Sequence, residues 1–144
     1  MPVRAKKALT SKGARMMMDA AIDRATRLGI AVTVAVVDDG GHLLMLERME
    51  GGRFHTVHSA ITKAVTAASN QRPTSARGAQ GQELDVLHAL GLALAAGPQN
   101  WTALEGGCPV MIEGGCIGGI GVAGGAGSQD EDIARAALGA IGAS

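Results

Sequence analysis

An α/β domain with an antiparallel sheet and the element order α-β-β-α-α-β-β-α is what this 144-residue sequence predicts. Two strand-turn-strand patterns predict the sheet. In the first, the apolar, valine-rich residues 30–37 meet Asp38-Asp39-Gly40-Gly41 and return as residues 42–48. In the second, residues 108–122 fold back at Gly114-Gly115. Aspartate and glycine tolerate the left-handed conformations of tight hairpins, and hairpins join antiparallel strands. Four segments with apolar residues every three or four positions bracket the hairpins and predict the helices.

Taken in order, Thr10 caps a helix reaching Leu28, whose core side is Ala14, Met18, Ala21, Ile22, Ala25 and Leu28; Gly29 ends it. After the first hairpin, Gly51-Gly52 breaks the pattern before a helix over residues 54–68, with the stripe Phe54, Val57, Ile61, Ala64, Val65 and Ala68. Pro73 prevents its continuation, and a polar loop follows. Residues 83–95 form a shorter helix carrying Leu84, Leu87, Leu90, Leu94 and His88, with His88 expected to pack against neighbouring structure. In the second hairpin Val110 should face Gly119 and Cys108 should face Gly121. That register keeps Cys108 and Cys116 beyond disulfide reach. A capping box at Ser128-Gln129-Asp130-Glu131 opens the last helix, with Ile133, Ala137, Leu138 and Ile141 on its apolar face.

One domain is expected over residues 10–144, preceded by a lead of residues 1–9. Thirteen basic residues balance thirteen acidic ones, so there is no electrostatic footprint for nucleic acid or for an anionic membrane. No stretch reaches the ~18 apolar residues of a membrane span. The lead carries Arg4, Lys6 and Lys7 without a following apolar run, which places the protein in the cytoplasm. Two cysteines are too few for a disulfide framework. Neutral charge with 22 glycines favours close self-association, at least a dimer.

Candidate site residues cluster after the first hairpin. At ~100° per residue, His55 and His58 are neighbours about 60° apart on the residue 54–68 helix, His58 within the apolar stripe and His55 at its edge. They read either as a ligand or acid/base pair, or as a hydrogen-bonded core histidine beside a half-exposed one. Gly118, Gly119 and Gly121 are costly inside a strand unless backbone must approach something closely, either a ligand or a packed helix. The ligand site is therefore expected where the start of the residue 54–68 helix meets strand 116–122, with Arg48 balancing charge. Arg72 and Arg77 in the polar loop are candidates to receive a carboxylate. Trp101 is the single large aromatic platform and fits a core edge or a subunit interface.

The order of motifs resembles the GlcG/HbpS-like family of haem-binding or haem-degrading proteins. The resemblance rests on Val34 to Gly51, VAVVDDGGHLLMLERMEG, on Thr62-Lys63-Ala64 with Thr66-Ala67-Ala68, on Arg72-Pro73-Thr74, on Gly106-Gly107-Cys108-Pro109-Val110, and on Gly118 to Ser128 with Asp130-Glu131-Asp132. It implies a profilin-like layered domain, a central antiparallel sheet with helices packed on it, assembled into dimers or larger oligomers. It also implies haem or another tetrapyrrole as ligand; the residues of this chain that could serve it are His55 or His58 on the iron and Arg48, Arg53 or Arg72 near the propionates. The run Gly52 to His58 matches no ligand pattern of the family, so neither histidine is assigned as the axial ligand. A second reading is a catabolic enzyme for a small organic acid, with Arg48 or Arg72 on the carboxylate and His55 or His58 moving a proton helped by Glu50 or Asp38. A divalent metal on His55, His58 and Glu50 is its variant, and a scaffold without chemistry is a third reading.

Overall fold

The computed structural model describes residues 1–144. The chain runs α1 (Ser11–Leu28), β1 (Thr33–Asp38), β2 (Leu43–Arg48), α2 (Thr56–Asn70), α3 (Val86–Ala96), β3 (Gly107–Ile112), β4 (Gly115–Ala123) and α4 (Gly127–Ala140), the order expected from the sequence. The four strands form one antiparallel sheet, β2-β1-β4-β3. Helices α1 and α4 cover one face and α2 covers the other.

Helix α1 starts as its sequence asks: the Thr10 hydroxyl accepts the Gly13 N–H at 3.0 Å, and Gly29 closes the helix at φ 73°. It buries Ala14, Met17, Met18, Ala21 and Ala25 against the sheet and α4. These join Val34, Val36, Val110, Ile120, Val122 and Ile133 in the larger of two cores. The first hairpin turns on Asp38, whose Oδ1 accepts the N–H groups of Gly40 and His42, each at 2.9 Å.

The second hairpin turns one position earlier than expected. Glu113 and Gly114 take the positive φ values, 50° and 78°, of a two-residue turn. A bulge after Val110 then pairs Val110 with Gly118 and Cys108 with Ile120, not with Gly119 and Gly121. Both cysteines are free. Cys116 pairs with Met111, four positions along β4 from the partner of Cys108, about 13 Å at strand rise.

On the opposite face, α2 lies almost in backbone contact with β4. A Cβ on Gly119 would stand 2.3 Å from the Ala64 carbonyl oxygen, and one on Gly121 2.0 Å from that of Ala60. The smaller core, Ala35, Val37, Ala60, Ala64, Ala68 and Ala123, fills what remains. This corrects the reading of α2. The helix begins at Thr56, with Phe54 and His55 in the preceding turn, and its buried side includes Thr56, Ala60, Lys63, Ala64 and Ala67. Phe54 is 78% exposed and His58 is exposed, because only small side chains fit beneath the helix.

Helix α3 departs furthest from expectation. Asp85 caps it by accepting the His88 N–H at 2.7 Å, yet no residue of α3 is buried and its backbone packs against no other helix or strand. His88 is exposed, not packed. Helix α4 is capped at Ala126 rather than at Ser128 and begins at Gly127, and Gln129 Oε1 and Asp130 Oδ1 accept the N–H groups of Ala126 and Gly125, each at 2.9 Å.

Candidate functional site

Between α2 and α3 lies an open groove of about 450 Å³, within the size range of small-molecule sites. Its α2 wall is His58, Ser59 and Thr62, and its α3 wall is Ala89 and Ala93. The segment after α3 supplies Trp101, Leu104 and Pro98 at the end. The α3 wall exists because alanines at i and i+4 share one helix face. Thr66 fixes the far segment: its Oγ1 accepts the Thr102 N–H at 3.1 Å, so Trp101 is held against α2. No lining residue is an aspartate, glutamate, lysine or arginine. The chemistry offered is one imidazole, one indole, hydroxyls and apolar surface.

Of the residues singled out in the sequence, the groove takes only His58, with Trp101. His55 lies in the turn before α2, exposed, with its ring edge-on to Phe54 at 6.3 Å between centroids. Arg48 and Glu50 are exposed and line no principal cavity. The structure gathers no group of three His, Cys, Asp or Glu side chains that could hold a metal, so His55, His58 and Glu50 do not form the metal site considered above. Asp38 is spent on its own turn. The His42 N–H, more than the Gly40 N–H, holds its carboxyl below the usual carboxylate range.

Arg72 and Arg77 do share a cavity, of about 480 Å³, but Glu105 and Glu131 line it too, and Arg77 donates to the Gly81 carbonyl at 3.0 Å. Gly119 and Gly121 are closed over by α2, and a Cβ on Gly118 would meet the Val37 carbonyl oxygen at 2.4 Å. The close approach these glycines permit is that of a helix and a neighbouring strand. The junction of α2 with β4 is therefore packed protein and not the ligand site expected there.

Nothing in the sequence reading paired Lys63 with Asp130. Lys63 is 4% exposed; its Nζ donates to the Val122 carbonyl at 2.8 Å and to Asp130 Oδ2 at 3.2 Å. The pair ties α2 to β4 and to the start of α4. A lysine three residues after Ala60 and one before Ala64, on the same helix face, was the available signal.

Among solved structures, the chain is similar to the Klebsiella pneumoniae protein ORFY, at 30% identity and a TM-score of 0.86, covering 99% of this chain and 96% of that one. It is similar to a PduOC:heme complex, at 29% identity and a TM-score of 0.82, covering 96% and 98%. Protein GlcG of Escherichia coli (strain K12) is 34% identical over 120 residues, 83% of this chain and 84% of GlcG. The family model described as haem degrading protein HbpS-like matches residues 9–139, and the chain belongs to that family.

Proposed function

We propose that the protein binds haem or a closely related tetrapyrrole in the groove between α2 and α3, with the His58 imidazole as the ligand to its iron. The observation that carries this reading is the groove's lining: apolar walls, an indole for a planar ring to lie against, and a single exposed imidazole free of neighbouring carboxylates. The residues fit the group. Trp101, Ala89, Ala93 and Leu104 would hold the macrocycle, and His58 would set the electronics of the metal. Bound haem would supply redox or oxygen chemistry; the chain's own part is to bind, orient and shield it from water. The PduOC:heme complex, in the same fold, supports the reading.

The organic-acid enzyme has less support. None of the four principal cavities brings Arg48 or Arg72 together with His55 or His58, so no carboxylate clamp faces a proton-moving imidazole. A cytoplasmic homo-oligomer remains the setting we propose. Neutral overall charge supports the self-association in that reading.

Haemin titration followed by visible absorption tests the site. The parent and His55→Ala should both give a protein-dependent Soret band, while His58→Ala loses the coordinated spectrum and keeps its far-ultraviolet circular dichroism, since His58 is exposed. A parent that leaves the haemin spectrum unchanged, or a His58→Ala spectrum identical to the parent's, would sink the assignment.

A further inference from the structure

Helix α3 is apolar on every side but for the exposed His88. From Val86 to Ala96 it contains no Asp, Glu, Lys or Arg. Val86 is 84% exposed, Leu87 80%, Leu90 53% and Leu94 67%. Its Ala89 and Ala93 side faces α2 only across the open groove. A helix that is apolar all round belongs in an interior. At 11 residues, about 16 Å long, it cannot cross the roughly 30 Å of a bilayer core, and it has no charged face with which to lie on one. The cover must be protein.

A second apolar surface lies on the same chain. Helix α2 covers β1, β4 and β3 but only the margin of β2. Leu46 lies with Ile61 and Val65 at the margin of the smaller core, Leu44 alternates onto the same side of that edge strand, and Phe54 and Val57 continue the Ile61–Val65 stripe along α2. At on the order of 100 Å² per large aliphatic side chain, the two surfaces together approach the roughly 800 Å² per partner of a stable interface. Neither surface of α3 nor this patch offers charges by which a foreign partner would be selected. A two-fold contact would use each surface once in each direction.

We infer that a second copy of this chain covers α3, seating it on the β2–α2 patch of that copy, and thereby sets one wall of the groove. Within its own domain α3 is tied to α2 only at its C-terminal end, where Asn100 Nδ2 donates to the Ala96 carbonyl at 2.9 Å and Thr66 Oγ1 donates to the Asn100 carbonyl at 3.4 Å, so a second copy seated on α3 would steady the Ala89–His58 span of the groove. Ligand binding in the groove and assembly are then linked, each strengthening the other. This linkage rests on the groove reading proposed above; the assembly itself does not.

Sedimentation equilibrium at micromolar concentration separates the two. The parent should be a dimer or larger, and so should Met16→Glu, an exposed substitution on α1 outside both surfaces. Leu90→Glu and Leu44→Glu should be folded monomers. A monomeric parent, or a Leu90→Glu chain that assembles like the parent, overturns the inference; a Leu44→Glu chain that assembles like the parent overturns the reciprocal seat. Haemin affinity of the parent should fall at least tenfold on dilution below its dissociation concentration, to the value Leu90→Glu shows at both concentrations. Equal haemin affinity in the parent and Leu90→Glu overturns the linkage. A parent that binds no haemin overturns the ligand reading alone, and the sedimentation results still decide the assembly.

Discussion

Helices α2 and α3 lie side by side across the groove and invert the usual expectation about what gets buried. Helix α2 buries four alanines, three threonines and a lysine, while the leucines of α3 stand open. The difference lies in what each helix faces. Against α2 the strand offers Gly119 and Gly121, and the resulting gap admits only small side chains, so fit rather than hydrophobicity decides its buried side. No helix or strand of the chain packs against the outer sides of α3, and the apolar surface left there is the one we infer a second copy covers.

The largest expected effect tests whether α2 is locked down as tightly as its packing implies. Lys63→Ala would leave Asp130 buried without its cation and should destabilise the fold by about 3–5 kcal/mol in urea unfolding. A change under 1 kcal/mol would mean that water reaches the pair and that α2 is not sealed. Next, a matched pair of glycine substitutions sharpens the contrast. Gly121→Ala must push α2 away and should cost about 3 kcal/mol. Gly91→Ala, which meets nothing within 4 Å, should stabilise α3 by about 0.5–1 kcal/mol. Equal costs would erase the distinction between the two helices.

A smaller effect follows pH and belongs to the sheet body alone. Burial pushes the Cys108 thiol from 9.0 up to about 11. Its folded-state pKa is raised, so its contribution is fully present below pH 9 and is lost as pH rises through about 11. Unfolding midpoints should therefore decline over that window, and Cys108→Ala should flatten the decline. In native protein Cys116, which is half-buried, should be alkylated before Cys108.

The sheet and all four helices were legible because their signals are local: Asp38-Asp39-Gly40-Gly41 makes its own turn, Thr10 and Gly29 bracket α1, and valine-rich β1 reads as covered on both faces. The register of the second hairpin was not, since the choice of Glu113-Gly114 over Gly114-Gly115 depends on a bulge that no residue type announces. The buried side of α2 was misread for a related reason. Phe54, Val57 and Ile61 dominate its apolar stripe, but glycines about sixty residues away decide which side fits the sheet. The site was half legible. His58 stood out as a histidine, but the α3 wall and Trp101 join it only through tertiary structure, and Arg48, Arg72 and His55 carry charge or chemistry without being brought to it.

Hydrogen exchange of the backbone amides, read by mass spectrometry at two protein concentrations, tests most directly whether α3 depends on a second copy while α2 does not. Peptides from α2 should be strongly protected at both concentrations. Peptides covering Val86–Ala96 should be protected when concentrated and exchange rapidly once diluted below the dissociation concentration. Protection of α3 that equals that of α2 and ignores dilution would contradict the dependence of α3 on a second copy.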